Sequence, residues 1–307
     1  MVIGASTSNF YPALLEDALD TVLSLGFRDT EVFFNAASEL DPSFVTELRR
    51  RVDDAGARVH AVHPHTSFME PHFLFSPYAR RADEMLDNYK RTFDAAARLG
   101  AKFLVLHGDR LGGALTVEQS IERYERLYDL GVTYGVRVAQ ENVVRFRSQD
   151  LDYIRALKEA LGSKAAFVLD IKQTVRCGVS VEAVAAAMGD AIVHVHASDH
   201  DAEHDCLPPS KGTFDYTRLF SLLRDIHYNG AVLIELYRHG FDDPQDLVTA
   251  AEYLKTFCDP DEQKTQLFFT QKQTLDLFLQ NGAITKAQYD KSLGDLKLKM
   301  NIKEDNQ

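Results

Sequence analysis

The sequence predicts an α/β fold: a (β/α)8 TIM barrel over residues 1–258, a linker at 259–264 and a short C-terminal helical hairpin at 265–307. Three observations carry this. Eight short apolar runs alternate with eight longer segments of helical period, and strict alternation implies a parallel sheet. The runs are rich in Val, Ile, Leu and Phe, as strands covered on both faces are. Eight units in about 257 residues match a closed barrel; an open doubly wound sheet, which usually needs fewer units, is the alternative.

The strand segments are 2–6, 29–34, 58–63, 102–107, 137–141, 166–170, 191–196 and 231–236. The helical segments between and after them are 11–25, 41–55, 76–99, 116–134, 150–161, 180–188, 215–227 and 244–257. Their ends carry the usual punctuation. Pro12 suits a first turn and Gly26 a stop, while Asp41-Pro42 is a cap followed by proline. Thr116 and Gln119 have capping-box spacing, Ser180 is a cap, and Gly56, Gly100, Gly162 and Gly189 stand where helices end. After Cys258 the texture changes. Asp259-Pro260-Asp261-Glu262 reads as a linker, 265–280 as an amphipathic helix, Asn281-Gly282 as a turn, and 285–300 as a second helix opened by Thr285 and Gln288. The last residues, 301–307, are polar and expected to fray. A hairpin this small folds poorly alone, so it should dock on the barrel or join protomers into a homo-oligomer.

The net charge of −12 and pI near 5.4 repel a phosphate backbone and disfavour nucleic acid as a partner. The cysteines, Cys177, Cys206 and Cys258, are few and widely spaced, which argues against a disulfide framework and for a reducing compartment. No signal-peptide pattern or membrane-length apolar stretch is read in the sequence, so a cytoplasmic protein is the expectation.

The chemistry is expected at the C-terminal ends of the strands. The third strand delivers His63 and His65, the fourth His107 and Asp109, the fifth Glu141 and Asn142, and the sixth Asp170. The seventh delivers His194, His196, Asp199 and His200, and the eighth Glu235. Any one of these has a plain reading as a loop residue, a core histidine or half of an ion pair. Their conjunction is different. Six strands converging on one mouth concentrate carboxylate and imidazole after apolar runs, where a buried charge is costly unless paired or bound to a cation. A divalent cation answers that need. Oxygen-rich ligation with one imidazole suits Mn²⁺, Mg²⁺ or Co²⁺, and more imidazole pulls toward Zn²⁺.

Glu141, Asp170, His196 and Glu235 resemble the Glu–Asp–His–Glu metal set of the xylose-isomerase-like barrels, which include sugar isomerases, ketose 3-epimerases, inosose dehydratases and apurinic-site endonucleases. The resemblance spans about residues 1–257 and includes Lys211-Gly-Thr-Phe-Asp-Tyr216, similar to the family's Gly-rich stretch before the seventh helix. It implies one divalent ion, Mn²⁺ first, held by those four residues. It departs at two positions. Gln173 stands where the epimerases and endonucleases carry a His, and Ala202 where the 3-epimerases carry an Arg. The stretch 282–289 also resembles short C-terminal helical modules.

The resemblance further implies an isomerase or epimerase working on a sugar, polyol or sugar phosphate through an enediolate, with Glu141 and Glu235 as the proton-transferring carboxylates. His65, His107 and Asn142 are the expected substrate contacts. Two alternatives stand beside it. One is a metal-dependent phosphoester hydrolase resembling the apurinic-site endonucleases, with His63 or His65, His107, Asp199 and His200 holding further metals. The other is a non-catalytic sugar-binding barrel.

Overall fold

A computed structural model of the protein describes residues 1–258 and 285–300, together with positions 272, 275 and 279. The strands β1 (Val2–Ser6), β2 (Asp29–Phe33), β3 (Arg58–His63), β4 (Phe103–Leu106), β5 (Arg137–Glu141), β6 (Phe167–Asp170), β7 (Ile192–Ala197) and β8 (Ala231–Ile234) close into one parallel barrel in sequence order. Closure is made by β1 on β8, with Val2 opposite Ala231 and Ala5 opposite Ile234. The open-sheet alternative is thereby excluded. All eight expected strands are present, each within about two residues of its predicted ends.

The helices are α1 (Leu15–Ser24), α2 (Pro42–Asp54), α3 (Ala79–Leu99), α4 (Val117–Val132), α5 (Leu151–Leu161), α6 (Ile171–Cys177), α7 (Val181–Met188), α8 (Tyr216–Asp225) and α9 (Gln245–Cys258). Most start where the caps indicate. Thr116 accepts from the Gln119 N–H, Ser180 from the Ala183 N–H and Asp215 from the Arg218 N–H, each relieving a donor that the first helical turn leaves unpaired. Two expectations need correction. The first helix begins at Leu15, not Tyr11, because residues 7–10 form a 3₁₀ turn and Pro12 lies in the turn that follows. The second concerns α6, a seven-residue helix directly after β6, in a stretch to which the sequence pattern assigns no element. Its signal was available: Asp170 precedes Gln173 by three residues, and the Asp170 carboxylate accepts from the Gln173 N–H at 2.9 Å.

The barrel interior is filled by strand residues of one parity. Ala61, Val105, Ala139 and Val168 form part of one fully buried cluster, with Phe103 and Val193 packed against it. Gly4 marks the tightest point: a Cβ there would stand 1.9 Å from the Asp29 carbonyl oxygen and 2.5 Å from Leu233. Among the described residues no helix is long and apolar enough to cross a membrane.

The chain separates into two compact units, 1–254 and 255–307. Within the second, the helix Lys286–Met300 opens on the expected box, in which Thr285 accepts from the Gln288 N–H and Gln288 accepts from the Thr285 N–H. Leu293 and Leu275 pack against Leu296. The expected linker, most of the helix at 265–280, the turn at 281–282 and the end at 301–307 lie outside the described residues.

Candidate active site

Period-two geometry builds the site. His63, His107, Glu141 and Asp170 each stand two residues beyond Ala61, Val105, Ala139 and Val168, on the same inward face. From β7, His196 projects the same way, and Glu235 follows β8 by one residue. His196 Nδ1 lies 3.1 Å from Glu141 Oε1, 3.1 Å from Glu235 Oε2 and 3.5 Å from Asp170 Oδ2. One ligand atom from each of these four side chains falls within 4.8 Å of all the others, and all four residues are buried. Three carboxylates and one imidazole at this spacing form a donor set that fits a hard or borderline divalent ion.

Two further groups adjoin this one. His63, His107 and Glu141 also bring ligand atoms within 4.8 Å of one another, so Glu141 belongs to both groups. His107 Nε2 is 3.1 Å from Glu141 Oε2, and His63 Nδ1 pairs with the Ser67 hydroxyl at 3.0 Å. The third group is Glu31, His194 and His196. Glu31 Oε2 lies 3.1 Å from His196 Nε2 and 3.2 Å from His194 Nε2. A carboxylate behind a ligating imidazole fixes the ring, so Glu31 turns His196 Nδ1 toward the three acids. Sequence reasoning missed Glu31 by starting at the third strand. The signal was an acidic residue in the middle of a strand, just before Val32 and Phe33, where burial requires a partner.

Lys172, on α6, was also missed. Its Nζ donates to Asp170 Oδ2 at 2.6 Å and to Glu235 Oε2 at 2.9 Å, and the residue is 4% exposed. Burial disfavours its charge, but Asp170, Glu235 and Glu141 outweigh burial and hold the ammonium well above its ordinary pKa. The acids respond in kind. Burial pushes Glu141 up, yet hydrogen bonds from His107, His196 and His63 bring it well below the usual carboxylate range. Glu235 is likewise raised by burial and lowered further by His196 and Lys172. Glu31, opposed by burial, is brought to about 2 by His196 and His194. Burial works against charge on His196 too, but Glu235 and Glu31 lift it well above the normal imidazole value.

Other predicted residues have different places. His65 lines the cavity described below, and burial lowers its pKa. Asn142, expected to touch substrate, is 2% exposed and engaged with backbone on both sides of its amide: Nδ2 donates to the Asp170 carbonyl and Oδ1 accepts from the Asp170 N–H. It holds β6 to the end of β5. Asp109 accepts from Arg147 Nε and from Ser120, and Asp199 accepts from the backbone N–H groups of His200, Ser210 and Phe214. These acids order loops, the second of them the Gly-rich stretch, and neither joins a ligand group. Gln173 accepts from the Val144 N–H, tying α6 to the loop after β5, and Ala202 is exposed in the loop after β7.

Gly108 gives the His107 loop its shape. Its φ of +86° suits glycine, and its N–H donates to Glu70 Oε2 at 2.7 Å. Glu70 is fully buried and also accepts from the Tyr89 hydroxyl at 2.7 Å; burial pushes its carboxyl up to about 7.

Above the acids lies a cavity of about 580 Å³. Glu141, Glu235, Lys172 and His107 line its polar side, with Phe33 and Phe146 among its apolar lining. A space of this size fits a small ligand, with a few polar groups set against an apolar wall.

A closed barrel with carboxylates and imidazoles gathered at the strand ends defines the class: an α/β barrel with a divalent-metal-competent mouth. A sequence profile of the "Xylose isomerase-like TIM barrel" family matches residues 19–257, and the chain belongs to that family. Curated relatives include an uncharacterised protein of Mycobacterium tuberculosis, 24% identical over 76% of this chain and 88% of that one. An inosose isomerase of Bacillus velezensis is 24% identical over 61% of this chain and 70% of its own length. Among solved structures, a D-tagatose 3-epimerase-like protein superposes with a TM-score of 0.72 at 18% identity, covering 86% of this chain and all of that one. A 3-keto-D-glucoside 4-epimerase from E. coli gives 0.67 at 19% identity, over 83% of this chain and 99% of that one. At these identities the solved structures establish the common fold.

Proposed function

We propose that the protein is a divalent-metal-dependent isomerase or epimerase that moves a proton on a sugar, polyol or sugar phosphate through an enediolate. The observation that carries this is the pair Glu141 and Glu235: each is 3.1 Å from His196 Nδ1, and both line the same cavity. Glu141, Asp170, His196 and Glu235 would hold the ion, Mn²⁺ first and Mg²⁺, Co²⁺ or Zn²⁺ in its place. Bound there, the ion supplies Lewis-acid stabilisation of negative charge developing on substrate oxygen.

The remaining work belongs to the chain. Glu141 and Glu235 are held ionised by their imidazole and lysine neighbours, so each is ready to take a proton from the carbon beside the carbonyl. Coming from β5 and from the end of β8, they would face different sides of a substrate bound between them. His107, on Glu141 at 3.1 Å, is placed to hold a substrate oxygen or relay a proton, and His65 lines the same cavity. The apolar wall receives the C–H face of a sugar. The inosose isomerase and 3-epimerase relatives support this substrate class.

The test is a screen of ketoses, inososes and their phosphates in D₂O with added Mn²⁺. Deuterium appearing at the carbon next to the carbonyl of one of them is the expected result. Absence of exchange with every candidate, in Mn²⁺, Mg²⁺, Co²⁺ and Zn²⁺ alike, overturns the proposal.

One observation favours a second reading. Glu141 belongs both to the group with Asp170, His196 and Glu235 and to the group with His63 and His107, so these residues would hold two ions, which could supply the two-metal chemistry of phosphoester hydrolases. The net charge of −12 works against a polyanionic substrate. Two tightly bound ions per chain together with phosphodiester cleavage would select this reading.

A further inference from the structure

Four carboxylates, Glu31, Glu141, Asp170 and Glu235, are buried around His196, and one ammonium, Lys172, enters among them. Lys172 comes from α6, whose first turn is fixed by the Asp170 cap, so the helix that follows one ligand delivers a cation back onto it. The ammonium touches two of the four proposed ion ligands, on Asp170 and Glu235, and the Tyr237 ring lies 5.6 Å away. Those two oxygens cannot give their full charge both to a lysine at hydrogen-bond distance and to a divalent ion. An ion within a few ångströms of the ammonium is also repelled by it, strongly so where water is excluded.

We propose that Lys172 is a tethered internal cation of the carboxylate cage: it neutralises and gathers Asp170 and Glu235 when the site holds no ion, and it must release those oxygens when a divalent ion binds. The lysine thereby sets the metal affinity of the site. It also lets the barrel fold without an ion, because an ion-free cage lacking it would leave the buried Asp170 and Glu235 with His196 as their shared imidazole partner. This inference rests on reading Glu141, Asp170, His196 and Glu235 as the ion site.

The experiment uses the full chain, dialysed against chelator and titrated with Mn²⁺ alone by calorimetry and thermal melting, as wild type, Lys172→Gln and Lys172→Arg. The wild type is expected to remain folded without metal. Lys172→Gln should melt lower in chelator, bind Mn²⁺ about tenfold tighter or more, and show the larger metal-induced rise in Tm. Lys172→Arg, which keeps the charge, should bind Mn²⁺ within a few-fold of wild type. If Lys172→Gln fails to fold in chelator, refolding it in Mn²⁺ should rescue it, and failure of that rescue overturns the inference. Mn²⁺ binding equal to or weaker than wild type in Lys172→Gln overturns the inference while leaving the proposed function intact. No binding of Mn²⁺, Mg²⁺, Co²⁺ or Zn²⁺ by wild type or variants overturns both.

Discussion

Glu141 and Glu235 are asked to do two things at once, to hold an ion and to move a proton. Gln keeps the shape and one oxygen but accepts no proton at neutral pH. Glu141→Gln and Glu235→Gln should therefore each lower turnover by about 10²-fold or more, with the fold kept by circular dichroism. Metal content measured on the same samples separates a lost base from a lost ligand. A variant that retains its ion and turns over within a few-fold of wild type would move the base to His65 or His107. Glu70 makes a prediction of another kind. Its carboxyl titrates at about 7 in the folded protein against 4.5 for an ordinary glutamate, so the folded state prefers it protonated. Its contribution to stability is fully present below pH 4.5 and is lost as the pH rises through about 7, a change on the order of 3 kcal/mol. Glu70→Gln stays neutral at every pH and keeps an amide oxygen that can accept from the Gly108 N–H. Urea melts at pH 5 and pH 8 should show the wild type losing stability relative to Glu70→Gln across that interval. An unchanged difference would mean that Glu70 is ionised throughout. Of the site residues, those at strand ends were legible because their positions follow from where apolar runs stop. Glu31 and Lys172 were not found, since one lies mid-strand and the other on a helix that the reading did not place.

At the scale of elements, local chemistry decides most boundaries. In α4 the Thr116 hydroxyl accepts from the Gln119 N–H, and the Gln119 amide oxygen accepts from the Thr116 N–H at 2.9 Å. Thr116→Ala removes one side of that box and should cost about 1 kcal/mol of stability, read from urea midpoints at constant m-value. A cost near zero would show that burial of Ile121, Tyr124 and Leu127 alone holds the helix start. The same logic explains both the success and the failure of element assignment. Caps with a proline, serine or threonine beside a long amphipathic run stand out in the sequence. In α6 the cap is Asp170, whose position after an apolar strand suggested a ligand, and its second role as helix opener was obscured by the first. Only the folded chain shows that one carboxylate does both, with Oδ1 on the Gln173 N–H and Oδ2 on Lys172.

For the whole molecule, the division into units at 1–254 and 255–307 matters most. Barrel closure through β1 and β8 is complete within the first unit, and the ligand groups all lie there. We therefore propose that a chain ending near Cys258 keeps a cooperatively unfolding barrel and that the tail governs oligomeric state or solubility. Circular dichroism on the shortened chain checks the first statement and light scattering the second. Loss of cooperative unfolding would make the tail part of the barrel core. A second expectation belongs here because a ligand bound only by the native state stabilises the entire domain. Saturation of chelator-treated protein with Mn²⁺ at about 100 times its Kd should add about 2.7 kcal/mol, read as a rise in Tm, with about one ion per chain by elemental analysis.

What the sequence by itself determined is the alternation of eight apolar runs with eight capped helices, and with it the barrel, because parallel strands covered on both faces must be continuously apolar and their helices must start and stop at recognisable residues. It also determined that acids and imidazoles collect at one mouth, since every parallel strand points its C-terminal end the same way. Only the tertiary structure decided which of them meet. Asp109, Asn142 and Asp199 look as competent in sequence as Asp170, yet Arg147, the Asp170 backbone and the loop N–H groups engage them. Glu31 meets His196, and Lys172 meets Glu235, only because closure of the barrel brings β2, β7, α6 and the end of β8 to the same interior point. Those pairings join residues distant in sequence or on different elements, and they depend on parity, register and helix direction, which no local spacing encodes.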